Sequence, residues 1–297
     1  MTDDDRPREI PHGAGPPASD GPGAAGAVET ELAAVEAVLL DMGGVILDLG
    51  EARGLPWGEL DRRGRQALLK LVRETGGEAD EATLERLLFA PWRREYARRY
   101  ARGREAPWEP HVERLHRRTG AAASPEALLE AWAGPYLHGL RAVSGAREAL
   151  GRLVAADLSL ALVSNVPLPG RFFRQALEEQ GVSAFFDSLC FSYDEGTRKP
   201  SPGLLHRALE ALGTEAPRAV LVGDRRSTDV AAGRAAGLRT VWVRSLDEEG
   251  PEPEATIGSI VELPELLGLT WARSPGSGSS PTATRSPSTA RPPSRSP

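Results

Sequence analysis

Residues 38–46 read VLLDMGGVI. Three apolar residues lead into Asp41, and Gly43 and Gly44 follow before the apolar run resumes with Val45 and Ile46. This is the pattern of a buried strand that delivers a carboxylate to a tight turn at its carboxyl end. A carboxylate in that position can perform chemistry, or it can simply cap a helix or a turn. The residues downstream decide between the two.

From residue 144 helices and short apolar strands alternate. SGAREALGRLVAAD (144–157) leads to LSLALVSN (158–165), and PGRFFRQALEEQG (169–181) leads to SLCFS (188–192). SPGLLHRALEALG (201–213) leads to AVLVGD (219–224), and TDVAAGRAAG (228–237) leads to RTVWV (239–243). Strands that are apolar on both faces and separated by helices imply right-handed crossovers and a parallel sheet. Between the first strand, at about 35–41, and this region the chain reads as helical from Trp57 to about His138, cut by Pro91, Pro107, Pro110, Pro125 and the glycines at 76, 77, 103 and 120. No period-2 stretch interrupts it. The expected fold is α/β: a Rossmann-like, doubly wound parallel sheet built from 35–56 and 139–270, with an all-helical cap at 57–138. An insertion at a strand's carboxyl end sits over the crevice where open α/β sheets bind their ligands.

The 297-residue chain is long enough for a sizeable core. Residues 1–34, rich in Gly, Pro, Ala and acid, and residues 271–297, rich in Ser, Pro, Thr and Arg, are expected to be disordered. The net charge of −6 gives no nucleic-acid footprint. A single cysteine, Cys190, excludes a disulfide framework within the chain and a cysteine-cluster metal site, and its apolar neighbours make it a core residue. No run of 18 apolar residues occurs and the start is acidic, so a soluble, cytoplasmic protein with no membrane partner is expected.

Four polar clusters fall at or just beyond the carboxyl ends of expected strands: Asp41, Ser164 with Asn165, Lys199, and Asp224 with Asp229. Strand ends on one edge converge in space. A carboxylate nucleophile, a hydroxyl and a cation for phosphate oxygens, and two further carboxylates for Mg²⁺ are what phosphoryl transfer through an aspartyl-phosphate requires. Lys199 and Lys70 are the chain's only lysines among 36 basic residues. A lysine beside Arg198 is consistent with a site that wants a compact point charge; the alternative is an exposed loop lysine.

With these clusters in place the chain resembles the haloacid dehalogenase-like hydrolases with a helical cap inserted after the first motif. GTRKPSP (196–202) resembles their lysine motif, VLVGDRRSTDVAAGRAAGLRTVWV (220–243) their acidic motif, and SNV (164–166) falls at the right place between. The resemblance implies Asp41 as nucleophile and Mg²⁺ ligand, with Ser164, Asn165 and Lys199 binding the phosphoryl group. It also implies that Asp224, Asp229 and the Gly43 carbonyl complete the metal site. The first motif of such phosphatases usually reads D-x-D, whereas here the third position is Gly43. The missing Asp would protonate the leaving oxygen and activate water, effects of about 10²- to 10⁴-fold. D-x-G-G-V with RKPSP resembles the subgroup that includes the amino-terminal phosphatase domain of soluble epoxide hydrolases.

Three readings follow: a phosphatase of a small anionic phosphorylated metabolite, a weak or inactive binding protein on the same fold, and a dehalogenase. In the cap, residues 86–118 carry ten arginines against four glutamates. On a helix at 91–102, Trp92, Tyr96 and Tyr100 would form one stripe and Arg94, Arg98 and Arg102 another. The arginines either face anionic substrates or stand in water. His111 and His116 have no partner at metal-ligand spacing.

Overall fold

Val38 and Leu40 of strand β1 (Ala37–Leu40) enter one apolar cluster while Ala37 and Leu39 enter another, as the two-residue period of a strand requires. A strand buried in this way must be covered on both faces. Two short strands, β2 (Leu47–Asp48) and β3 (Arg141–Ala142), pair antiparallel where the chain leaves for the helical insertion and returns from it. The remaining strands are β4 (Ser159–Ser164), β5 (Ser188–Phe191), β6 (Ala219–Gly223), β7 (Arg239–Val243) and β8 (Ala255–Ile257). With β1 they form a parallel sheet in the order β5-β4-β1-β6-β7-β8. The computed structural model describes residues 35–49, 55, 57–245 and 248–269, so the tails expected to be disordered, 1–34 and 271–297, lie outside the described residues.

Helices Ala146–Ala155 and Gly170–Glu179 cover one face of the sheet, and Gly203–Leu212 with Ala231–Ala235 covers the other. Cys190 is buried on the second face, as its neighbours imply. This is the Rossmann-like α/β architecture. The chain builds outward from β1 to β4 and β5, then returns to start β6 on the other side. The strand order therefore reverses at β1, where doubly wound sheets open their crevice. Leu40 lies level with Leu162 and Val222, so Asp41, Ser164 and Asp224 leave the sheet along one edge.

The insertion between β2 and β3 is helical. It comprises Trp57–Glu74, then Glu81–Leu84 continuing through a π-turn at Glu85–Phe89 into Ala90–Tyr100, then Glu109–Thr119 and Pro125–Leu137. Asp80 and Ser124 cap two of these helices through backbone N–H groups of Thr83 and Ala127. Its interior is aromatic: fully buried Trp108 stacks on Trp92 at 4.0 Å and lies 4.5 Å from Trp132.

Sequence pattern did not reveal β8 or the β2–β3 pair, which are too short to show a period. It also assigned a plain helix to 228–237, where a π-turn, Arg226–Val230, precedes Ala231–Ala235. Among the described residues no helix is long and apolar enough to cross a membrane.

Candidate active site

Asp41 follows β1 directly, its backbone N–H donating to the Val222 carbonyl at 2.9 Å and its side chain almost buried. Its Oδ1 accepts a hydrogen bond from Lys199 Nζ at 2.7 Å. The lysine is fully buried, and its ammonium also reaches the Val163 carbonyl at 2.7 Å and Asp229 Oδ1 at 2.6 Å. Two of its N–H groups are hydrogen-bonded, to Asp41 and Val163, and Asp229 completes the surroundings as an ion pair. Burial pushes the Lys199 pKa down, but the carboxylates of Asp229 and Asp41 more than offset this and hold it above the ordinary lysine range. Lys199 is therefore no exposed loop lysine.

The backbone of Lys199 is fixed as firmly as its side chain. Asn165 Nδ2 donates to the Lys199 carbonyl, and the Lys199 N–H donates to Asn165 Oδ1, both at 2.8 Å. The side chain of Asn165, expected among the phosphate-binding groups, is thus engaged in positioning the lysine. Ser164 is buried at the end of β4, next to this clamp.

Asp229 lies in the π-turn after β6, where its Oδ2 accepts the Arg225 N–H at 2.9 Å. Asp224 stands just past β6, its carbonyl accepting from Trp242 Nε1 at 2.9 Å and from the Ser245 hydroxyl. One ligand oxygen from each of Asp41, Asp224 and Asp229 lies within 4.8 Å of the others. Burial, then the charges of Asp41 and Asp229, pushes the Asp224 carboxyl up to about 7; burial also raises Asp229. Three hard oxygen donors that repel one another suit a hard divalent cation.

Two glycines make this convergence possible. Gly44 has φ +73°, and a Cβ there would stand 2.6 Å from Asp224 Oδ2. A Cβ on Gly223 would stand 2.3 Å from the Cβ of Asp229. Gly43 differs: it is exposed, and the one atom near a Cβ built on it is Asp41 Oδ2 at 3.9 Å.

The insertion docks on the two loops that carry these residues. Gly103 accepts the Arg198 N–H at 3.1 Å, and the Arg198 guanidinium lies 4.1 Å from the centre of the Tyr100 ring and 3.4 Å from Glu105 Oε2. Glu105 Oε1 accepts from the Ser192 hydroxyl, which itself accepts the Val166 N–H. Desolvation raises the Glu105 pKa, and Arg198 opposes that rise. Trp108 Nε1 donates to the Pro167 carbonyl at 2.8 Å. The stripe of Trp92, Tyr96 and Tyr100 runs outward from the aromatic interior to Arg198, while Arg94, Arg98 and Arg102 are exposed. Tyr136, in the helix that returns to the core, has its phenol pushed up to about 12, first by desolvation and then by the charge of Asp41. The two sides of each of these docking contacts come from segments far apart in sequence.

A parallel α/β sheet with a buried lysine and three carboxylates at the carboxyl edge of its central strands defines a hydrolase of the phosphatase type. The chain belongs to the haloacid dehalogenase-like hydrolase family, whose model matches residues 83–243, more than half of its length. Asp41 precedes the matched stretch, so its place in the site rests on geometry. The chain is 32% identical over 206 residues to the phosphoserine phosphatase of Thermus thermophilus, covering 56% of this chain and 82% of that protein. It is 24% identical over 250 residues to the N-acylneuraminate-9-phosphatase of Mus musculus, covering 80% and 95%. Among solved structures, a HAD phosphatase from Thermococcus onnurineus matches at TM-score 0.52 and 25% identity, covering 79% of this chain and 98% of that one. A 2-haloacid dehalogenase from Pseudomonas syringae matches in fold at TM-score 0.54 and 20% identity, covering 79% and 98%.

Proposed function

We propose that this protein hydrolyses a small phosphorylated metabolite through an aspartyl-phosphate on Asp41, with Mg²⁺ held by Asp41, Asp224, Asp229 and the Gly43 carbonyl. The observation that carries this reading is the asymmetry of Asp41: Oδ1 is held by Lys199, while Oδ2 faces the open position at Gly43. Oδ2 attacks phosphorus, the bond to the leaving oxygen breaks, and water then hydrolyses the acyl phosphate, returning the carboxylate. Lys199 holds the charge of the nucleophile in place, and Ser164 with Lys199 binds the phosphoryl oxygens. When bound, Mg²⁺ supplies charge stabilisation to the carboxylates and the phosphoryl group. The helical insertion acts as the cap that selects the substrate. The relatives act, by their names, on N-acylneuraminate 9-phosphate and phosphoserine, which supports a small phosphorylated substrate.

The test is Mg²⁺-dependent release of phosphate from p-nitrophenyl phosphate and acetyl phosphate, lost on chelation. Absence of release from both would favour a binding protein on this fold.

Two further results are expected. Below about pH 7 a cation must displace the Asp224 proton, so Mg²⁺ affinity falls roughly tenfold per pH unit there and levels off above it. Calorimetric titration across that range checks this, and an affinity independent of pH would refute it. Gly44→Ala introduces both a left-handed alanine and a clash with Asp224. It should lower Mg²⁺ affinity about tenfold or more and cost on the order of 1–2 kcal/mol of stability, readable by titration and thermal melting.

A further inference from the structure

A second face of helix Ala90–Tyr100 bears a basic cavity that the catalytic reading does not use. Glu95, Arg98 and Arg99 lie on one side of this helix, Arg102 continues that side in the turn beyond, and Arg104 joins from the loop. Together they line a cavity of about 720 Å³. The set is electrostatically unbalanced. Glu95 is already engaged, accepting from Arg99 Nε at 2.7 Å and lying 2.9 Å from the Nε2 of buried His111. Among the described residues, the side chains of Arg98, Arg102 and Arg104 have no such partner. Guanidinium groups gathered without counter-charge repel one another, and an anion between them relieves this while accepting paired N–H bonds.

We propose that this cavity is an anion site, separate from the carboxylate cluster, that takes a phosphate or carboxylate group. The loop that supplies Arg104 to the lining also touches the Lys199 segment. Gly103, between Arg102 and Arg104, accepts the backbone N–H of Arg198, the residue before Lys199, and the Arg198 guanidinium lies over Tyr100. An anion held here stands beside the segment that positions the active-site lysine. It comes either from a second charged group on the substrate or from a free anion in solution.

The experiment titrates the magnesium-free full chain with inorganic tripolyphosphate by calorimetry at physiological salt. Binding should be saturable. Arg98→Gln with Arg102→Gln should weaken it about tenfold or more. Arg62→Gln with Arg63→Gln, which removes the same charge from arginines paired with Glu59, should leave it unchanged. Thermal melting confirms that each variant is folded. Absence of saturable binding, or equal weakening in both double variants, overturns the proposal.

Turnover assigns the source. If the substrate supplies the anion, the KM for a sugar bisphosphate relative to p-nitrophenyl phosphate rises in the Arg98, Arg102 variant. If a free anion does, sulfate, which leaves Mg²⁺ in solution, shifts p-nitrophenyl phosphate turnover in the wild type and not in that variant. The binding measurement needs no catalysis, so its failure and a failure of the phosphatase reading are separately visible.

Discussion

Asp41→Asn abolishes phosphate release, by about 10³-fold or more, in a protein that melts no lower than the wild type. The first half follows from the chemistry of an amide, which lacks the anionic oxygen that the proposed aspartyl-phosphate route requires. The second half follows from the charges around it. Asn keeps an oxygen that can accept from Lys199, and the ammonium retains Asp229 at 2.6 Å and the Val163 carbonyl at 2.7 Å. The charge of Asp41 is also one cause of the raised pKa of both Asp224 and Asp229. Its removal relieves like-charge repulsion, so stability holds or rises. Initial rates with p-nitrophenyl phosphate and acetyl phosphate, beside a melting curve, check both halves. An Asp41→Asn variant that retains the wild-type rate would remove Asp41 as nucleophile, and one that is inactive only because it is unfolded would leave Lys199 dependent on Asp41 for its burial.

Sequence pattern exposes what is local and periodic, and this site shows where that ends. The run 38–41, apolar up to a carboxylate, and the matching ends of β4 and β6 were legible because a strand buried on both faces has few other readings. Since strand order puts these ends on one edge, Asp41, Ser164 and Asp224 were legible as a group. The Asn165 clamp on Lys199 was not, since an amide at a strand end looks the same whether it faces a ligand or a backbone 34 residues away. Nor was the contact between Arg198 and Glu105, which lie 93 residues apart on different elements. Gly44 could be read as a turn residue but not as the residue that lets Asp224 approach, because that clash exists only after the chain has folded.

Gly43→Asp should raise turnover of alkyl phosphates by about 10²-fold, with little change for acetyl phosphate. An alkoxide is a poor leaving group and needs a proton as it departs, whereas acetate departs without one. The wild-type position supplies no acid. The backbone there needs no positive φ, and the residue is exposed. A Cβ at that position would lie 3.9 Å from Asp41 Oδ2, an ordinary van der Waals distance. A carboxyl carried from it would therefore sit beside the oxygen proposed as nucleophile, and the proximity of a second negative charge would raise its pKa and keep it protonated, as an acid requires. The gain should appear in kcat for sugar phosphates and vanish in the Asp41→Asn background. A fall in kcat instead would mean that the open position serves space, for water or for a substrate group, and that the wild-type enzyme takes leaving groups that depart unassisted.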